Sequence, residues 1–167
     1  LDLASLVQAI CDECGADESD GVERARYLGP DYLEIVAAPL ALSRALRNVV
    51  ENAVKYGGRA DVVLGLGSAG AEIAVCDAGP GIPEAELDRV FEPFYRLDRA
   101  RDAGGSGLGL AIARNVLRAH GGEISLENLP GGGLRHQSNP LQLMSNMKSQ
   151  SASVVSRKGM ILMTPAC

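Results

Sequence analysis

Thirteen residues, Arg44 to Tyr56, constrain the fold more than any other part of this chain. Leu42, Ala45, Leu46, Val49, Val50, Ala53 and Val54 recur at helical spacing, so one stripe of a helix must face a core. Pro39 opens the helix at a favoured first-turn position, although Ala38 before it is a poor N-cap. Gly57 is expected to close it as a C-cap with positive φ. Asn48, Asn52 and Lys55 fall on a second line beside the apolar one. Glu and Lys would be better helix formers on a solvated face. The row is either a polar surface line or a place where amide carbonyls hold a hard cation and an ammonium meets phosphate.

The rest of the chain must supply what that stripe packs against. With 167 residues, one domain with a real core is expected. Hydrophobic content of 46% and charged content of 22% are those of a globular protein, and the 4% of aromatics makes the core aliphatic. A net charge of −5 argues against a general nucleic-acid partner. No apolar run approaches the ~20 residues of a membrane span. The start at Leu1 resembles no signal peptide, and with no initial Met the sequence is expected to be a fragment. Cys11 and Cys14 form a lone C-x-x-C with neither a second ligand pair nor a thioredoxin-like context, so they read as small residues near a helix end. Cys76 falls in an apolar strand and reads as core.

Leu1 to Cys14 has the spacing of an amphipathic helix with Leu3, Leu6, Val7 and Ile10 inward. Arg24–Leu28 and Leu33–Ala37 are weak strand candidates around Gly29-Pro30-Asp31. Ala60–Leu66 and Ala71–Asp77 alternate like strands. The turn between them contains Gly65-x-Gly67-x-x-Gly70, formally a dinucleotide-binding pattern. That pattern requires a helix to follow, and a strand follows here, so it reads as a hairpin. Asp77-Ala78-Gly79-Pro80-Gly81 then puts a carboxylate at a strand end, before glycines that let a ligand approach the backbone. Gly104 to Gly109 lead into a helix from about Leu108 to Ala119. A Gly-rich loop entering a helix offers free N–H groups to phosphate. There is no P-loop sequence. Gly121-Gly122 ends the helix, and Glu123–Leu129 reads as a strand.

Taken together and in this order, the motifs resemble those of bacterial sensor histidine kinases. Asn48-x-x-x-Asn52-Ala-x-Lys55-Tyr56 resembles their N box, Asp77-x-Gly79-x-Gly81 their G1 box, Phe91-Glu92-Pro93-Phe94-Tyr95-Arg96 their F box, and Gly105-Ser106-Gly107-Leu108-Gly109-Leu110 their G2 box. The resemblance covers about residues 1–135. It implies the catalytic and ATP-binding domain: an α/β two-layer sandwich, a mixed sheet with helices on one face. It also implies ATP and Mg²⁺ as cofactors. Asp77 would accept from the adenine amine, which suits a carboxylate, an acceptor only. Asn52 would ligate the metal, Asn48 would support the metal or its water, and Lys55 would contact phosphate. Tyr56 would pack against the nucleotide, or serve as a core aromatic. Gly79, Gly81, Gly105, Gly107, Leu108 and Gly109 would shape the nucleotide site, with Gly107 and Gly109 bringing N–H groups to the phosphates. Residues from about 84 to 106 would form a lid, from which Arg96, Arg99 or Arg101 could reach the γ-phosphate. In related ATPases a Glu four residues before the metal-binding Asn activates water; Asn48 stands there in this chain, which favours transfer over hydrolysis.

The implied function is transfer of the γ-phosphoryl group to a histidine on a separate phosphoacceptor domain, and from there to a response regulator. The implied location is the cytoplasmic part of a membrane-anchored sensor. A serine kinase or ATPase of the same fold, or a module that binds ATP or partners without transfer, are the alternatives. The family pattern fails after Arg135. His136-Gln137-Ser138-Asn139-Pro140 shows no apolar alternation and holds a Pro, so the last strand is expected to be truncated. From His136 to Cys167 there is no Asp or Glu, while all four Met and six Ser crowd in. That stretch looks foreign to the domain and is expected to be disordered and without site residues.

Overall fold

The computed structural model describes residues 1–16, 22–67, 69–97 and 104–141. Three helices and five strands alternate: α1 (Leu3–Gly15), β1 (Ala25–Leu28), α2 (Pro39–Gly57), β2 (Ala60–Leu66), β3 (Ala71–Asp77), α3 (Gly109–Ala119), β4 (Glu123–Asn128) and β5 (Leu134–Leu141). Two short 3₁₀ turns, Glu84–Glu86 and Arg89–Phe91, lie between β3 and α3. The strands form one sheet in the order β1-β2-β3-β5-β4, with β1 parallel to β2 and every other pair antiparallel.

The stripe read from the sequence of α2 is the centre of the core. Leu42, Ala45, Leu46, Val49, Val50 and Ala53 are buried, and only Val54 is half-buried. They meet Leu3, Val7 and Ile10 of α1, Leu117 of α3, and Val62, Ile73 and Val75 of the sheet. Period two along β2 puts Ala60, Val62 and Leu64 on the face that receives the helices. Each large aliphatic side chain buried there contributes about 1.5–3 kcal/mol.

The ends of α2 are solved in ways the sequence did not announce. The residue with left-handed backbone is Gly58 (φ 78°), one beyond the expected Gly57, and its N–H donates to Val54 O at 2.9 Å. At the other end no side chain of Ala38 caps the helix. His120 stands in: its Nε2 accepts from the Ala38 N–H at 2.9 Å, while its Nδ1–H donates to Val116 O at 2.7 Å. The expected strand over Leu33–Ala37 is only an isolated bridge between Glu34 and Asp2. The hairpin reading of residues 65–70 holds, with Ala71 opposite Leu66 and Gly67 N donating to Gly70 O.

The expected truncation at Arg135 is not found. β5 runs on to Leu141 and is an interior strand of the sheet, paired with β3 on one side and β4 on the other. Leu134, His136 and Ser138 alternate inward and are buried, while Arg135 and Gln137 are half-buried. The alternation exists but runs through polar residues, which an apolar count misses. Pro140 is tolerated because the register shifts there: Ile73 pairs with Ser138 and Ala71 with Leu141, so β5 carries one extra residue. Ser138 Oγ accepts from Ile73 N at 3.0 Å and donates to Ile73 O at 3.2 Å, replacing ladder bonds. Residues 142–167, where the rest of the foreign-looking stretch falls, lie outside the described residues.

Candidate functional site

One cleft of about 630 Å³ lies between α2, the end of β3, the segment after it, and the start of α3. Asn48, Asn52, Lys55 and Tyr56 line it from α2, and Asp77 and Gly81 from the end of β3. Gly105, Gly107, Leu108 and Gly109 complete it from the Gly-rich loop. Ten of the eleven residues singled out above therefore meet in one space, although the chain separates them by up to 61 positions (Asn48 to Gly109).

The exception is Gly79, which sits behind the wall. Its N–H donates to Asp77 Oδ1 at 2.8 Å. A methyl group there would stand 2.9 Å from Tyr56 O and 3.0 Å from Asp77 Oδ1. Gly57 presses from the helix: a methyl group there would lie 2.7 Å from Asp77 Cγ. The two glycines clamp the carboxylate between α2 and the loop. Leu134 N donates to the same Oδ1 at 3.2 Å. Oδ1 is thus held by two backbone donors, and Oδ2 is the oxygen left for a ligand. Asp77's side chain is 5% exposed, at the closed end of the cleft. Oδ2 lies 3.7 Å from His136 Nε2, beyond hydrogen-bond reach, so its lone pairs can meet a ligand donor.

Asn128 fixes the wall beyond Asp77. Its Oδ1 accepts from Ile82 N at 2.8 Å, and its Nδ2 donates to Ile82 O at 2.7 Å and Glu84 Oε1 at 3.1 Å. Ile82, Val90, Leu97 and Leu110 give the cleft an apolar lining suited to a flat base.

The other end is polar. The side chain of Leu108 does not cap α3, Ser106 Oγ accepts weakly from the Leu108 N–H at 3.4 Å, and Leu108, Gly109 and Leu110 at the helix start line the cleft. Gly107 (φ 71°) donates no room to spare: a methyl group there would stand 2.9 Å from Phe94 C. Phe94 itself has φ 66°, and its N–H donates to Gly107 O at 3.0 Å. The F-box turn and the Gly-rich loop thus hold each other. Lys55 Nζ crosses the cleft to donate to Gly104 O, and Arg96 donates to the same oxygen at 3.3 Å. Asn48 packs on the start of α3, its Cβ 3.6 Å from where a Gly109 methyl would be. Arg99 and Arg101 lie outside the described residues.

Sequence reasoning missed Gly57, Asn128 and His136. His136 was assigned to the tail, yet it lines the cleft and is 3% exposed. Gly57 was read as a cap, and nothing local in the sequence ties Asn128 to Ile82. The C-x-x-C pair stays out of the site: Cys11 is buried in the core, and burial pushes its thiol up to about 12.

Comparison with known proteins agrees with this architecture. A family model described as histidine kinase-, DNA gyrase B-, and HSP90-like ATPase matches residues 37–140, reaching into β5. The chain belongs to that family. It is 42% identical over 135 residues to the sensor histidine kinase GtrS of Pseudomonas aeruginosa, covering 81% of this chain and 27% of that protein. It is 48% identical over 103 residues to the sensor-type histidine kinase PrrB of Mycobacterium bovis, covering 60% of this chain and 23% of that one. Its fold matches the ATP binding domain of PrrB from Mycobacterium tuberculosis (TM-score 0.62, 32% identity, 87% of this chain and 96% of that one). It also matches the mycobacterial sensor histidine kinase MprB (TM-score 0.71, 28% identity, 86% and 97%). The chain spans about a quarter of the length of the two curated relatives. Among the described residues no helix is long and apolar enough to cross a membrane.

Proposed function

We propose that this chain is the catalytic and ATP-binding part of a protein-histidine kinase. It binds Mg-ATP and transfers the γ-phosphoryl group to a histidine on a separate dimerisation and phosphoacceptor domain, from which a response regulator takes it. The observation that carries this reading is Asp77: a buried carboxylate lining the cleft, with one oxygen fixed by two N–H groups and the other 3.7 Å from His136 Nε2.

On this reading Oδ2 accepts from the adenine N6 amine. Guanine offers a carbonyl at that position, which a carboxylate repels. Gly79 and Gly81 shape the wall beside it, and Tyr56 packs at the mouth. The triphosphate runs toward Gly105, Gly107, Leu108 and Gly109, where N–H groups meet it. Lys55 leaves Gly104 O for a phosphate oxygen. Asn52 supplies a side-chain oxygen to the metal, and Asn48 supports the metal or its water. No group of three or more His, Cys, Asp or Glu that could cage an ion occurs among the described residues, which suits Mg²⁺ carried in by phosphates. Magnesium, when bound, neutralises charge on the phosphates. Asn48 offers no carboxylate to take a proton from water, so the site favours transfer over hydrolysis.

Neither histidine of this chain is placed as the acceptor. Both ring nitrogens of His120 are engaged, and His136 is buried. The parent protein's acceptor lies elsewhere, and the reading places this part on the cytoplasmic side of a sensor. Labelled ATP with a supplied phosphoacceptor domain, then a response regulator, tests it. Label should pass to the acceptor histidine and on to the regulator. Label on serine, or release of free phosphate alone, would favour the related kinase or ATPase. Binding without transfer would leave a nucleotide-binding module.

A further inference from the structure

His136 Nδ1 is the buried side-chain polar atom with no hydrogen-bond partner among the described residues. An orphaned N–H in the interior is costlier than an orphaned lone pair, so the proton belongs on Nε2. Nε2 lies 3.7 Å from Asp77 Oδ2, too far for a hydrogen bond, and both side chains line the closed end of the cleft. A donor and an acceptor therefore stand side by side there, too far apart to hydrogen-bond each other. Adenine presents the complement, since its N6 amine donates and the neighbouring N1 accepts. N1 belongs to the ring farther from the ribose, so it reaches deepest when the phosphates point to the Gly-rich loop. N7 shares a ring with the ribose-bearing nitrogen and stays nearer the mouth.

We propose that His136 is a second reader of the base, donating from Nε2 to adenine N1, directly or through one water, while Asp77 accepts from the amine. This rests on the adenine reading of Asp77. The pair discriminates twice against 6-oxopurines, whose N1 carries a proton and whose O6 is an acceptor.

Calorimetric titration of the full chain with ATP, 1-deaza-ATP and 7-deaza-ATP tests it. The wild type should lose roughly tenfold in affinity for 1-deaza-ATP, the scale of one buried hydrogen bond, and little for 7-deaza-ATP. His136→Leu should bind ATP about as weakly as the wild type binds 1-deaza-ATP and should no longer distinguish the two; His136→Phe gives the same test with a ring in place. His136→Gln, which keeps a donor, should restore part of the preference. A merely structural histidine would lower affinity for all three nucleotides by one factor. Either that result, or a Leu or Phe variant that keeps the wild-type preference for ATP over 1-deaza-ATP, overturns the proposal. If Asp77→Asn leaves ATP affinity unchanged, the adenine reading itself has failed. If it weakens ATP while the His136 variants keep the N1 preference, only the role of His136 has.

Discussion

Gly57 shows how one missing methyl group serves the site. In an exposed helix interior, Gly→Ala stabilises by about 0.5–1 kcal/mol. At Gly57 the added methyl would collide with Asp77, so Gly57→Ala should lower the melting temperature and weaken ATP binding together. Gly58→Ala meets no atom within 4 Å but must hold φ 78°, so it should cost about 1 kcal/mol of stability with little effect on nucleotide affinity. Thermal unfolding and calorimetry on the two neighbours separate packing from backbone strain. Cys11, with its thiol pushed up to about 12, should resist alkylation near neutral pH until the protein unfolds, whereas half-buried Cys14 should react first. Peptide mass mapping after timed labelling checks the order. At this scale the sequence indicated which residues line the cleft where the signal is local, as with Asp77 and the Gly-rich loop. It was opaque where a residue's role is a contact made across the fold, as with Gly57 under Asp77 and Asn128 on Ile82.

The helix α2 was legible because its stripe is long, apolar and of one period. Strand β5 was not, because two of its inward positions are His136 and Ser138 and its Pro lies at a bulge. The start of α2 depends on His120, whose ring replaces a capping side chain. His120→Ala should cost about 0.5–2 kcal/mol, the range of a lost N-cap, read as a shift in urea midpoint at unchanged slope. On the polar line of the same helix, Asn52→Ala should leave stability nearly intact, since Ala is the best helix former and Asn52 stands beside the core stripe. Transfer should nevertheless fall to background. A variant that transfers at the wild-type rate with Mg²⁺ would remove the metal role of Asn52.

For the whole molecule, the fold class followed from the four motif resemblances, and the order of strands in the sheet did not. That order matters because β5, the last of the described strands, is an interior one. Ending the chain after Arg135 would strip β3 of one of its two neighbours and remove most of the pairing of β4, so that protein should not unfold cooperatively. A chain ended after Leu141 keeps every described strand pair and should retain both cooperative unfolding and ATP binding. Circular dichroism melts of the two truncations decide where the domain closes. The claim on which the functional reading depends is that Asp77 at the closed end of the cleft reads adenine. Calorimetric titration of Mg-ATP into the wild type and Asp77→Asn tests it directly. The wild type should bind, and the variant, whose amide can turn a donor toward the amine, should bind about 1.5–3 kcal/mol more weakly. Equal ATP affinity in the two proteins would contradict it.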